Sequence, residues 1–153
     1  MKSRPLSLQE EMERIIFKCD VCYIGMVDQN NEPYVLPFNF GYKDNTIYLH
    51  SAKAGKKIDI LKNNNKVCVA FSTDHALKWV NEEVACSWGM KYRSVLAYGK
   101  VEFIDDFDER TEALNVIMSN YSDQNFEYSK PAVIDVQPYK VVIEKMEGRA
   151  YGY

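Results

Sequence analysis

The chain has 153 residues, 46% of them hydrophobic, and a formal charge of -3 at pH 7, the size and composition of one globular domain with a core of its own. The slight acidity excludes a general nucleic-acid binder, whose affinity rests on basic surface excess, and leaves room only for a local basic pocket. No apolar run approaches the ~20 residues of a membrane helix. The opening Met1-Lys2-Ser3-Arg4-Pro5 is not followed by the apolar segment of a secretion signal, so a cytoplasmic protein is expected.

In chain order, Ser7-Leu8-Gln9-Glu10 has the spacing of a capping box, and Leu8, Met12, Ile15, Ile16 and Cys19 fall on one stripe, which predicts a helix over 8–18. Residues 21–27 read as a strand, turned back by the polar run 28–32. Tyr34, Leu36, Phe38, Phe40 and Tyr42 then alternate with Val35, Pro37, Asn39 and Gly41, the period of two of a strand with two different faces. Asp44-Asn45 supply a turn, and 46–51 return as a further strand with Ile47 and Leu49 on one face and Thr46, Tyr48 and His50 on the other. The run Ala52 to Gly55 breaks that strand, and a short helix starts at Lys56-Lys57 and stops at Asn63-Asn64-Asn65. Residues 66–73 read as a buried strand and 74–90 as a long loop with one turn of helix. The run 92–104 reads as a long strand with a bulge at Gly99, and Asp105 to Asp108 cap a second main helix. After a loop over 122–138 with a short helical turn, 139–146 form the last strand, and the terminal tyrosines are expected to dock on a neighbouring molecule.

This order predicts a mainly β fold, a small six-stranded antiparallel β-barrel with flanking helices, in a single domain over 1–153. A doubly wound parallel sheet is excluded, since no Gly-x-Gly-x-x-Gly follows any strand.

The corner after His50 carries the most chemistry. Ser51, Gly55, Lys56 and Lys57 would place hydrogen-bond donors and positive charge at a helix start, as an anionic group requires; the plain alternative is a solvated lysine pair. A nucleotide P-loop is excluded, because His50 stands where its first glycine belongs and Lys57 where its Ser or Thr belongs. His50, at the polar end of a strand, can hydrogen-bond a ligand or move a proton near neutrality, or be merely structural. Cys19 and Cys22 have Cys-x-x-Cys spacing, yet they close a helix and enter a strand, whereas a redox dithiol sits at a helix start; neither metal nor dithiol chemistry is expected. Trp88, Tyr92, Arg93 and Ser94 form a second possible cluster for a phosphate or a flat heterocycle, or an ordinary loop-to-strand junction. No Ser-His-Asp pattern or paired carboxylates can be claimed from spacing.

The stretches PYVLPFNFGYKDNTIYLHSAKAGKKIDIL, NNNKVCVAF and YRSVLAYGKVEFIDD resemble the pyridoxamine 5′-phosphate oxidase-like split-barrel superfamily, and more closely its nitroimidazole-resistance branch. That resemblance implies a homodimer with FMN at its interface. Pro37, Phe38 and Asn39 would line the isoalloxazine edge, His50 and Ser51 would sit near the ring and ribityl chain, and Lys56 and Lys57 would receive the phosphate, with Trp88, Arg93 and Ser94 offered by the other subunit. Pyridoxamine phosphate oxidases carry an Arg-rich strand motif where this chain has Leu36-Pro37-Phe38-Asn39. The branch therefore implies an FMN-dependent reductase of nitro compounds or other small electrophiles, with His50 as proton donor or substrate contact. A flavin- or haem-binding carrier without turnover is the rival expectation, beside an oxidase of the vitamin B6 type.

Overall fold

In the computed structural model, which describes residues 2–153, the chain orders as β1 (Ser3–Leu6), α1 (Gln9–Phe17), β2 (Cys22–Val27), β3 (Pro33–Phe38), β4 (Gly41–Lys43), β5 (Thr46–Ala52), α2 (Lys56–Asn63), β6 (Lys66–Lys78), β7 (Gly89–Phe103), α3 (Phe107–Ser119), α4 (Lys130–Asp135) and β8 (Val136–Tyr151). The strands form one antiparallel sheet in the order β3-β2-β6-β7-β8-β5-β4, with β1 paired to β8. This is the expected split barrel with flanking helices. It has eight strands rather than six because β1 adds one and the run 34–42 divides into two.

That division shapes the molecule. Gly25 of β2 stands opposite Val35 of β3, while Tyr42 of β4 stands opposite Ile47 of β5. Between Phe38 and Gly41 the chain thus steps from one edge of the sheet to the other, and two residues join its ends. Tertiary contacts override the continuous alternation here. Phe40 is fully buried, with its ring edge-on to Phe71 at 5.0 Å, and its amide donates to the Tyr121 hydroxyl at 3.0 Å instead of to a strand. At Gly41 the α3 backbone presses so close that an added Cβ would lie 2.4 Å from the Val116 carbonyl oxygen.

Inside the barrel, Ile16, Ile24, Met26, Leu49, Val69, Val95 and Val141 share one core with the neighbouring buried side chains. The α1 stripe supplies Met12, Ile15 and Ile16 as expected, whereas Leu8 is exposed. No side chain caps this helix: Leu8 is its N-cap residue, because β1 holds the preceding chain extended along β8 and the helix begins only at Gln9. Asp106 does cap α3, accepting from the amides of Asp108 and Glu109, and Ser129 caps the short turn α4.

The segment 74–90 keeps the expected loop and its single helical turn over 79–88, but both of its ends are strand. β6 runs on to Lys78, β7 begins at Gly89, and a single 3₁₀ turn spans Ala85–Ser87. Asp74, at φ 57°, sits in the bulge that resets the pairing between Thr73 and Ala76. Beyond it the two strands leave the barrel as a ribbon arm, whose tip stacks Trp79 on Trp88 at 4.3 Å. A ribbon with both faces in water has no reason to show amphipathic alternation. The bulge expected at Gly99 is present, as a register shift against β8 after Tyr98.

Strand β8 extends past both predicted ends. It takes Glu147 to Tyr151 into the sheet, where Tyr151 pairs with Tyr92 and stacks on its ring at 5.7 Å. The hydroxyl of Tyr153 donates to the carbonyl of Asp74. The terminal tyrosines therefore make contacts on their own chain. No helix among the described residues is long and apolar enough to cross a membrane.

Candidate functional site at the end of strand β5

The site grows out of the strand-to-helix corner. Gly55 adopts φ 122°, a left-handed conformation that only glycine takes without strain, and it lets the chain turn from β5 directly into α2. As the N-cap residue it has no side chain with which to cap the helix. The amides of Ile58 and Asp59 donate to the Gly55 carbonyl at 3.0 and 3.1 Å, which leaves those of Lys56 and Lys57 at the positive end of the helix dipole without an intrahelical partner.

The two lysines that follow diverge. The Nζ of Lys57 lies 6.0 Å from the ring centre of Phe38, and that of Lys56 lies 4.6 Å from the ring centre of Tyr34. Tyr34 and Phe38 are four residues apart on β3 and so share one face of it. Lys57 lines a cleft of about 380 Å³ with Leu36, Pro37, Phe38, Asn39, His50, Ser51 and Ala52. Lys56 belongs instead to a neighbouring cleft with Asp28, Gln29, Asn30, Asp59, Ile60 and Asn63. No carboxylate lines the Lys57 cleft, and among the described residues Lys57 makes no salt bridge. The corner thus holds an uncommitted positive charge beside free amides, the electrostatics of an anion site.

His50 stands at one wall. Burial pushes its pKa below the ordinary 6.5, so the ring is neutral at neutral pH. Its Nδ1 is buried without a hydrogen-bond partner. A neutral imidazole with a free ring nitrogen can accept or donate one hydrogen bond, depending on its tautomer. Ser51 donates its hydroxyl to the carbonyl of Ala52 at 3.0 Å.

Behind these residues lies Tyr139, which sequence reasoning placed only as the first residue of a strand. It is fully buried and meets Phe38 edge-on at 6.3 Å and Phe103 at 5.7 Å. Its hydroxyl also lacks a partner. No local pattern announces it, since its place beneath the cleft follows from the pairing of β8 with β5, Tyr139 opposite Leu49.

Trp88, Arg93 and Ser94 are not in the cleft of their own chain. Trp88 sits at the tip of the arm, its indole N–H donating to the Glu82 carbonyl at 3.0 Å. Ser94 lies in the β7 ladder between Ser72 and Arg149. Arg93 is held by Asp74, with 2.6 Å between Nη1 and Oδ2, and its guanidinium stacks 3.8 Å from the ring centre of Tyr153. The same carboxylate takes Lys18 at 3.2 Å on each oxygen, and the Arg93 and Lys18 contacts draw its pKa below the usual carboxylate range. Cys19 and Cys22 are buried free thiols, Cys22 pushed up to about 12 by burial; thiols so held are unreactive. Among the described residues no three His, Cys, Asp or Glu side chains gather as a metal site would require.

A split barrel whose open corner presents a helix start, a lysine and an unpaired imidazole defines a class of small-ligand-binding domain. The family model of pyridoxamine 5′-phosphate oxidase matches residues 9–150. The crystal structure of a proposed 5-nitroimidazole antibiotic resistance protein from Bacteroides thetaiotaomicron is 41% identical, covers 97% of this chain and 87% of its own, and superposes with a TM-score of 0.88. The chain belongs to the pyridoxamine 5′-phosphate oxidase family, in the branch that holds this nitroimidazole-resistance protein. The fold alone is shared with a flavocytochrome from Azotobacter vinelandii, at 19% identity over 99% of this chain and 70% of that one with a TM-score of 0.82. It is shared equally with an FAD-binding protein from Mesorhizobium loti, at 22% identity over 99% and 100% with a TM-score of 0.72. No curated protein matches the chain in sequence.

Proposed function

We propose that this protein is a homodimeric FMN-dependent oxidoreductase that reduces small electrophiles such as nitro compounds of the 5-nitroimidazole type. The observation that carries the reading is the cleft itself, where Lys57, the uncapped start of α2 and the neutral ring of His50 line one space without an opposing carboxylate. These groups fit a phosphorylated flavin. Lys57 and the α2 amides would hold the phosphate, Pro37 to Asn39 would lie along the ring edge, and Ser51 would reach the polar chain. Bound there, the flavin supplies hydride or single-electron transfer, chemistry that no side chain of the cleft can perform.

The protein's own contribution is orientation, exclusion of water and a hydrogen-bond donor. Phe38 and Leu36 give the ring an apolar wall. His50, neutral because it is buried, keeps one ring N–H that it can donate as a hydrogen bond to a substrate oxygen as charge builds there. The dimer is favoured by the arm, where Val80 is 92% exposed and Leu77 and Val84 stand beside it. Apolar groups so displayed gain from burial against a second copy, and that copy's arm and β7 would bring Trp88, Arg93 and Ser94 toward the cleft.

The test is a titration of purified protein with FMN, followed by flavin fluorescence, and then oxidation of reduced nicotinamide with a nitroaromatic acceptor. Saturable binding and turnover that disappears when FMN is stripped are expected; a protein that takes up no FMN defeats the proposal. The lack of a carboxylate partner for His50 favours a second reading, a flavin carrier without turnover. Steady nicotinamide oxidation rejects it. Light scattering on the eluting protein reads the oligomeric state, a dimer being expected.

A further inference from the structure

Behind the cleft lies a hydroxyl whose presence packing cannot explain. Tyr139 is fully buried, wedged edge-on between Phe38 and Phe103, and a phenylalanine would fill the same space. Its phenol oxygen has no hydrogen-bond partner, and a buried hydroxyl left unpaired destabilises the fold that contains it. Ser51, on the cleft wall, lies two residues along β5 from Leu49, the residue opposite Tyr139, and so shares that strand face; its hydroxyl is turned to the Ala52 carbonyl at 3.0 Å. Burial pushes the Tyr139 pKa up to about 12, so the phenol keeps its proton and remains a donor at any ordinary pH.

We propose that Tyr139 is a positioning residue for the ligand's polar chain: when the cleft fills, Ser51 turns its O–H from Ala52 to the ligand and its oxygen accepts the O–H of Tyr139. The inference rests on the reading of the cleft as a flavin site. In the complex the two hydroxyls form a chain of two hydrogen bonds, each polarising the other in a low-dielectric setting. A polar group kept unpaired in the free protein and satisfied only on binding trades fold stability for ligand selectivity.

The experiment compares wild type, Tyr139→Phe, Ser51→Ala and the double variant by titration with FMN and with lumiflavin, which carries the ring system without the polar chain, alongside thermal melts of the ligand-free proteins. Tyr139→Phe is expected to weaken FMN about tenfold, to leave lumiflavin unchanged and to melt no lower than wild type. Ser51→Ala is expected to lose at least as much, and adding Tyr139→Phe to it should cause no further loss, as for two members of one chain. FMN binding by Tyr139→Phe equal to wild type overturns the inference while leaving the flavin site standing. Equal weakening of both ligands, or a lower melting temperature, also overturns it, by showing that the phenol serves packing. Failure of wild type to bind FMN at all overturns the site and the inference together.

Discussion

Lys57 and Arg93 are both cations beside an aromatic ring, and both read from the sequence as donors to an anion. In the fold their circumstances diverge. Arg93 is bound to Asp74, which also holds Lys18, and is stacked on Tyr153, whose hydroxyl returns to the backbone of Asp74. These contacts tie α1, the bulge of β6, β7 and the end of the chain into one knot at the root of the arm. Lys57 sits over Phe38 beside a helix start, in a cleft that no carboxylate lines. A cation already neutralised by a carboxylate serves architecture first, whereas one left beside free amides is available to a ligand. Residue type does not separate the two cases; the neighbouring carboxylate does.

Substitutions should split along that line. The largest effect is expected from Lys57→Ala, which removes a charge-assisted contact and should weaken FMN binding by roughly 1.5–3 kcal/mol with little change in the denaturant midpoint. Unaltered affinity would remove the phosphate from this corner. Asp74→Ala should do the reverse, costing about 1–2 kcal/mol in urea unfolding as Arg93 and Lys18 lose their common partner; an unmoved midpoint would show that the knot holds nothing. Lys56→Ala should weaken FMN by no more than about 0.5–1 kcal/mol, the worth of an exposed cation–π contact, since its ammonium lies over Tyr34 in the neighbouring cleft. A loss equal to that of Lys57→Ala would mean that the lysines act as a pair.

The smallest effect concerns His50. Its folded pKa lies below 6.5 because burial disfavours the charged ring, so the unfolded chain binds the proton more readily. The resulting stability is present above 6.5 and is lost as pH falls toward the depressed folded value. Melting temperatures taken from about pH 7.5 down to about pH 5 should fall more steeply for wild type than for His50→Gln, and parallel slopes would contradict the assignment.

How much of the site could be read in advance follows from the range of the interactions involved. The turn at Gly55, the helix start at Lys56 and the polar strand end at His50-Ser51 depend on a few adjacent residues, and the structure keeps all three. The Gly99 bulge and the Asp106 cap of α3 were legible for the same reason. The division of 34–42 was hidden because Phe40 is buried on either reading; only the close approach of α3 at Gly41 and the reach of Tyr121 to the Phe40 amide break the strand. The strand ends 74–78 and 89–90 were hidden because a ribbon exposed on both faces carries no period, whereas the loop and its helical turn between them were legible.

By itself, the sequence determined a small antiparallel barrel and a basic corner after His50, since alternation, glycine placement and helix-start chemistry act over a handful of residues. Tertiary structure alone decided which lysine faces the cleft, that Arg93 is spent on Asp74, and that Tyr139 from the far end of the chain lies beneath Phe38 and beside Ser51. Those outcomes depend on strand pairing between residues about ninety positions apart, and on which charges the folded backbone brings together, quantities to which no local pattern of side chains corresponds.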